Sequence, residues 1–125
     1  TSLRPLSTRE TVGTDTPGGN GTMPRGCLQV AAAIAALGEC DAATALRCAT
    51  QNVAVAHGLE EGTVRVGAPA DLLLVGPVRG SAHTEVAAAL EAGEIVGIAA
   101  VVARGAVVAM PARYTPPTVD AVSLV

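Results

Sequence analysis

An α/β fold is the expectation from this sequence, and three observations lead to it. A short β-prone run, Thr11 to Thr14, stops at Asp15 and opens into a glycine-rich loop, Thr16 to Met23, that also holds Pro17. Three segments with helical spacing follow. Beyond Gly62 the pattern changes to short apolar runs of strand length, broken by one further helix.

Each element has a local reason. From Arg25 to Leu37, Leu28, Ala31, Ala32, Ala35 and Ala36 recur on one helical face, and Gly38 supplies a left-handed stop. Asp41 is placed to cap a second helix running to about Ala49, and Thr50 a third from Gln51 to His57 that ends at Gly58. Thr63 to Val66 and Asp71 to Val75 read as strands, and a helix from Thr84 to Leu90 stops at Gly93. Gly97 to Ala103 and Ala106 to Met110 flank Arg104-Gly105, a two-residue connection suited to a hairpin. From Pro111 onward, with Pro116-Pro117, an extended tail is expected. A lone strand before a helix is half of a parallel unit, so the strand at 11–14 requires neighbours that this chain does not carry.

Composition narrows the function. The 125 residues amount to about one domain, half of it apolar, with an aromatic share of 1% contributed by Tyr114 alone. The core must therefore be built from Ala, Val, Leu and Ile, without large anchors. The net charge is −3 and the eight basic residues are scattered singly, so neither nucleic acid nor a membrane surface is an expected partner. The longest apolar run lies within Val30 to Leu37, too short to span a bilayer, and no signal segment opens the chain. A cytoplasmic location is expected. Cys27, Cys40 and Cys48 lie in or beside helical segments without metal-binding spacing, and reduced, buried thiols are expected. The Asn20-Gly21-Thr22 sequon carries no weight without a secretory route.

The polar residues have ordinary readings when taken singly. Asp15 in D-T-P-G-G suits a turn. Gly18, Gly19 and Gly21 allow a sharp turn and close approach to a ligand. No Lys-Ser/Thr follows, and Pro24 stands where a third fingerprint glycine is required, so nucleotide binding is rejected. Arg25, near a helix start, is either a solvated surface residue or a partner for a substrate carboxylate. His57 and His83 lie 26 positions apart and neither has an i+2 or i+4 partner, which argues against metal ligation. His57 suits a helix C-terminus, and His83 is expected to be exposed before its helix. Asp71 is read as a turn or anchoring residue.

Taken as a set, Gly13-Thr14-Asp15-Thr16-Pro17-Gly18-Gly19, Thr50-x-Asn52-x-Ala54, His57-Gly58-Leu59, Gly62, Gly67 and Ala70-Asp71-Leu72-Leu73-Leu74 resemble the C-terminal end of the amidohydrolase superfamily. Within it the likeness is to enamidases, which open a cyclic enamide, and it runs from about Val12 to Pro117. Residues 80–105 and Tyr114-Thr115-Pro116-Pro117 bear on that subfamily.

The resemblance implies a metal-dependent (β/α)8 barrel with a smaller β-sandwich. Residues 1–59 would carry the last barrel strand, the active-site loop and the C-terminal helices; 60–110 the C-terminal part of the sandwich; and 111–125 the tail. Thr11 to Thr14 becomes the eighth barrel strand, whose C-terminal end faces the mouth where such enzymes do chemistry. Asp15 is then a metal ligand and the general base toward metal-activated water, while Thr16, Gly18, Gly19 and Arg25 line the substrate mouth. The implied cofactor is a divalent metal, zinc or iron, one or two ions per site.

The family's H-x-H pair, bridging residue and later histidines have no counterpart here. The resemblance therefore implies a complementing N-terminal chain carrying them, and a homo-oligomer of the completed unit. That chain is expected either from a precursor cut before Thr1 or from a separate gene. Thr1 is a candidate self-processing N-terminus, its own amine acting as base, although ordinary proteolysis yields the same end. The substrate class implied is a cyclic amide or enamide. The alternatives are an imidazolone or dipeptide-like amide, or a non-catalytic assembly fragment.

Overall fold

The structure, a computed structural model, describes residues 9–14, 26–111 and 117–123. Four helices and three strands follow in the order α1 (Gly26–Ala36), α2 (Ala42–Ala49), α3 (Gln51–His57), β1 (Leu72–Gly76), α4 (Val86–Glu91), β2 (Gly97–Ala103) and β3 (Ala106–Ala109).

The helices form where alanine periodicity and caps coincide. α1 buries Ala31, Ala32 and Ala35, the face expected from their spacing. α2 begins at Asp41, whose Oδ1 accepts from the Thr44 amide at 2.8 Å; hydrogen bonding by the Thr44 side chain, and then by that amide, holds the carboxyl below its usual pKa. A second carboxylate reaches the same helix end from far along the chain: Glu91 Oε1 accepts from the Ala42 amide at 2.9 Å. α3 ends at Gly58 in the left-handed region, φ 66°, and the Leu59 amide returns to the Ala54 carbonyl at 2.9 Å.

The core is made of small side chains. Ala32, Ala42, Ala89, Leu90 and Val96 form one buried cluster, and Ala31, Ala35 and Ala45 form another. Facing alanines let helices approach closely, and Leu90 and Cys48 are the largest of the fully buried side chains among the described residues. α4, drawn from the 60–110 portion, packs on α1 and α2, so this core is shared across the two portions read from the sequence.

The strands form one antiparallel sheet in the order β1-β2-β3, with Leu73 opposite Val101 and Val102 opposite Val107. The β2–β3 hairpin turns through Arg104 and Gly105, both at positive φ (50° and 78°), the type I′ pattern that matches strand twist. Asp71 explains how Arg104 holds that conformation: its Oδ1 accepts from the Arg104 amide at 2.7 Å, while the Ala70 carbonyl accepts from the Gly105 amide at 3.0 Å. The anchoring role expected for Asp71 is thus a clasp on the hairpin tip.

Several expectations need correction. Thr63–Val66 joins no ladder among the described residues; Thr11–Thr14, expected to lack neighbours in this chain, joins none there either. A strand exists only with a partner, and Val64 and Val66, 88% and 102% exposed, have none to pack against. The helix expected from Thr84 starts at Val86. The extended tail is a docked one: Thr118 is buried and pairs with Val78, with the Val119 amide bonded to the Pro77 carbonyl at 2.9 Å. Of the three thiols expected to be buried, Cys48 is, Cys40 is half-buried and Cys27 is exposed on α1. Burial pushes the Cys40 and Cys48 thiols above their usual pKa, which makes both poor nucleophiles. No helix among the described residues is long and apolar enough to cross a membrane.

Candidate functional site

Asp15, Thr16, Gly18, Gly19, Arg25 and Thr1, the residues singled out in the sequence, lie outside the described residues. The backbone leading to Asp15 is described, and its attachment is specific. The Val12 amide donates to the Cys48 carbonyl at the end of α2, at 3.1 Å. Two residues earlier, the Glu10 carbonyl accepts from Asn52 Nδ2 at 2.7 Å. The α2–α3 junction therefore grips the run into Asp15 from both sides of Thr11.

Asn52 is the residue that sequence reasoning left without a role. It is only 4% exposed, and a buried amide is costly unless its polar atoms are partnered. Nδ2 also lies 3.8 Å from Cys48 Sγ, a weak contact within the same junction. The rest of the T-x-N-x-A series has structural explanations too. Thr50 Oγ1 donates to the Leu46 carbonyl at 2.9 Å, and a Cβ placed on Gly62 would meet Ala54 Cβ at 2.7 Å. The motif closes the helical pair, and Gly62 lets the chain cross it. An amide amid apolar helix positions was the signal available.

A second polar cluster joins the loop before α4 to the turn after it. His83 Nδ1 lies 3.0 Å from Glu94 Oε1, the Ser81 hydroxyl donates to Glu94 Oε2, and the His83 amide donates to Ser81 Oγ at 3.0 Å. His83, expected to be exposed, is half-buried and paired. The hydrogen bond from Ser81, then that from His83, holds the Glu94 carboxyl below its usual pKa. The connectivity is not that of a nucleophilic triad, because Glu94 takes both the serine and the histidine and no ring nitrogen activates the hydroxyl. It is a loop clasp.

No group of three or more His, Cys, Asp or Glu side chains is arranged to hold a metal among the described residues. His57 sits at the end of α3, as its spacing indicated.

A family profile described as "Amidohydrolase family" matches residues 5–108. The chain belongs to the amidohydrolase family. Among curated members, the enamidase of Eubacterium barkeri is 35% identical over 105 residues, which make up 84% of this chain and 27% of that enzyme. A crystal structure of enamidase, described as a new member of the amidohydrolase superfamily, superposes with a TM-score of 0.84 at 34% identity. It matches 91% of this chain, which spans 30% of that structure. The chain thus has the fold of under a third of an enamidase-like amidohydrolase.

Proposed function

We propose that this chain forms part of a metal-dependent amidohydrolase that cleaves the C–N bond of a cyclic amide or enamide, with Asp15 at its centre. The supporting observation is the likeness to enamidase, 35% identical across 84% of the chain and matched in fold. In this reading residues 11–14 are the last strand of a (β/α)8 barrel, completed by further polypeptide that carries the other metal ligands. The run at 11–14, which joins no ladder among the described residues, and exposed Val64, Val66, Val107 and Val108 support a need for such a complement.

Asp15 has the chemistry the role demands. A divalent ion, zinc or iron, would lower the pKa of water toward neutrality when bound. The described residues contain no cluster able to hold it, so this chain contributes the Asp15 carboxylate and the complementing polypeptide the remainder. Asp15 would help hold the ion, and its carboxylate would take a proton from the attacking water and pass it to the leaving nitrogen. Thr16, Gly18 and Gly19 supply backbone able to approach the substrate, and Arg25 meets a substrate carboxylate.

In the complete assembled enzyme, Asp15→Asn is expected to abolish turnover of cyclic amides and enamides, assayed as ring opening over a small substrate panel. Retention of parental turnover by that variant removes Asp15 from the chemistry.

A further inference from the structure

We infer that the open edge of β1 is where the further polypeptide of the enzyme adds a strand; the inference rests on the reading above that such polypeptide completes this fold.

β1 and β3 are the two edges of the sheet, and they are built differently. β3 is four residues long and carries a bulge: Val102 faces Val107 and Val101 faces Ala109, which leaves Val108 as an extra residue. Pro111, which has no amide to donate, stands just beyond its end. Short length, a bulge and a nearby proline are devices that close an edge to further pairing. β1 has none of the last two. Leu72–Gly76 is a run without charge or proline, and the one irregularity in its pairing puts the extra residue, Ala99, on β2. Every second residue of an edge strand turns its amide and carbonyl away from its neighbour. β1 therefore presents a row of backbone groups beside Leu73 and Leu74, both partly in solvent.

The tail frames this edge without filling it. The Arg79 amide donates to the Pro117 carbonyl at 3.1 Å and the Val119 amide to the Pro77 carbonyl at 2.9 Å, which makes Thr118 the antiparallel neighbour of Val78, just past β1. There the pairing stops. The Thr118 hydroxyl donates to the Asp120 carbonyl at 2.6 Å, a local turn, and residues 119–123 join no ladder among the described residues. A groove of about 330 Å³ is lined by Leu74, Val75 and Pro77 from the β1 side, by Asp120 and Val122 from the tail, and by Val86 of α4. One water takes about 30 Å³, so the groove has room for side chains, and most of its lining is apolar. The occupant follows from the size of the relative. This chain spans 30% of the matched enamidase structure, so an enzyme of that kind brings far more polypeptide than residues 1–125. An extended segment of it, laid in the groove, pairs with the outward backbone groups of β1 and covers Leu73 and Leu74.

The test is made on the complete assembled enzyme. Hydrogen exchange of individual backbone amides is followed across Leu72–Gly76, beside those of β3 and of residues 63–66. With its edge filled, β1 should show no fast alternate set, and its amides should exchange about a hundredfold or more slowly relative to those of 63–66. Fast exchange at alternate β1 amides overturns the inference, as does protection at β3 without protection at β1. Leu73→Cys, made with Cys27→Ser and carrying a photo-activated thiol crosslinker, then identifies the neighbour by mass spectrometry of the digested product. A crosslink to polypeptide outside residues 1–125 is the expected result. A crosslink to residues 119–123 makes the tail the occupant, one to β1 of another copy makes it a dimer edge, and either overturns the inference. The two readings fail separately. An active enzyme whose intact mass is that of residues 1–125 alone removes the completing polypeptide itself, whereas further polypeptide beside an unprotected β1 removes only the edge. Parental turnover in Asp15→Asn removes the assignment of Asp15 and leaves the exchange and crosslinks at β1 to decide this one.

Discussion

The alanine faces of α1, α2 and α4 and the valines around Val64, Val66 and β3 have the same apolar character and opposite fates. Ala31, Ala45 and Ala89 are fully buried, whereas Val66 lies wholly in solvent and all four residues of β3 are exposed. Between these two sets the small alanines are buried and the larger, more hydrophobic valines are not. Hydrophobicity alone therefore does not choose the interior. The helices find partners within this chain: α1 meets α2 and α4, and each buries a stripe the others match. The 59–70 connection leaves Val64 and Val66 exposed, and the outer strand, though paired with β2, leaves all four of its residues exposed, apolar surface of the kind the proposed complement would cover.

The contrast is broken most sharply at Leu90. Leu90→Ala empties the centre of the helical cluster and is expected to cost about 2–5 kcal/mol by denaturant titration, whereas Val66→Ala should stay within about 0.5 kcal/mol. Equal losses at the two positions would mean that the exposed region also packs. Smaller in effect is Gly62→Ala, which tests the seam between the regions. Gly62 has φ 93° and faces Ala54 Cβ, so both backbone strain and collision oppose the methyl group. A loss of more than about 1 kcal/mol is expected, and a neutral result by thermal melt would show that the connection is free to move away from α3.

The smallest effect concerns the clasp at Glu94. Its folded carboxyl titrates below the unfolded value of about 4.3, so its contribution is complete above that pH and is lost as pH falls through the lower, folded value. Thermal stability should therefore decline below about pH 4 more steeply in the parent than in Glu94→Gln. Parallel pH curves for the two proteins would remove Glu94 as a source of that slope.

How much was legible follows the same division. Helix positions are local properties, and Asp41, Gly38 and Gly58 announced their ends because capping is decided within a few residues. The Arg104-Gly105 hairpin was legible for the same reason. The run at 63–66 was misread as a strand because a strand is defined by its neighbour, and β-prone composition says nothing of whether one is present. The supporting parts of the site were missed for a related reason. Asn52 and Glu10 are 42 positions apart, and His83 and Glu94 are joined across an intervening helix, so only the fold puts them together. The family likeness carried by the T-x-N-x-A series was legible, and the structure adds what that series does mechanically.

Glu91 ties these threads together. The first amide of α2 is satisfied by a side chain arriving from the end of α4, 49 positions later. A break in the exposed connection between α3 and β1 would therefore not divide the chain into two self-sufficient pieces. The earlier fragment would carry a helix capped by Asp41 but with its first amide unsatisfied, the later one a carboxylate with nothing to hold, and each would have to recruit the other before either was complete.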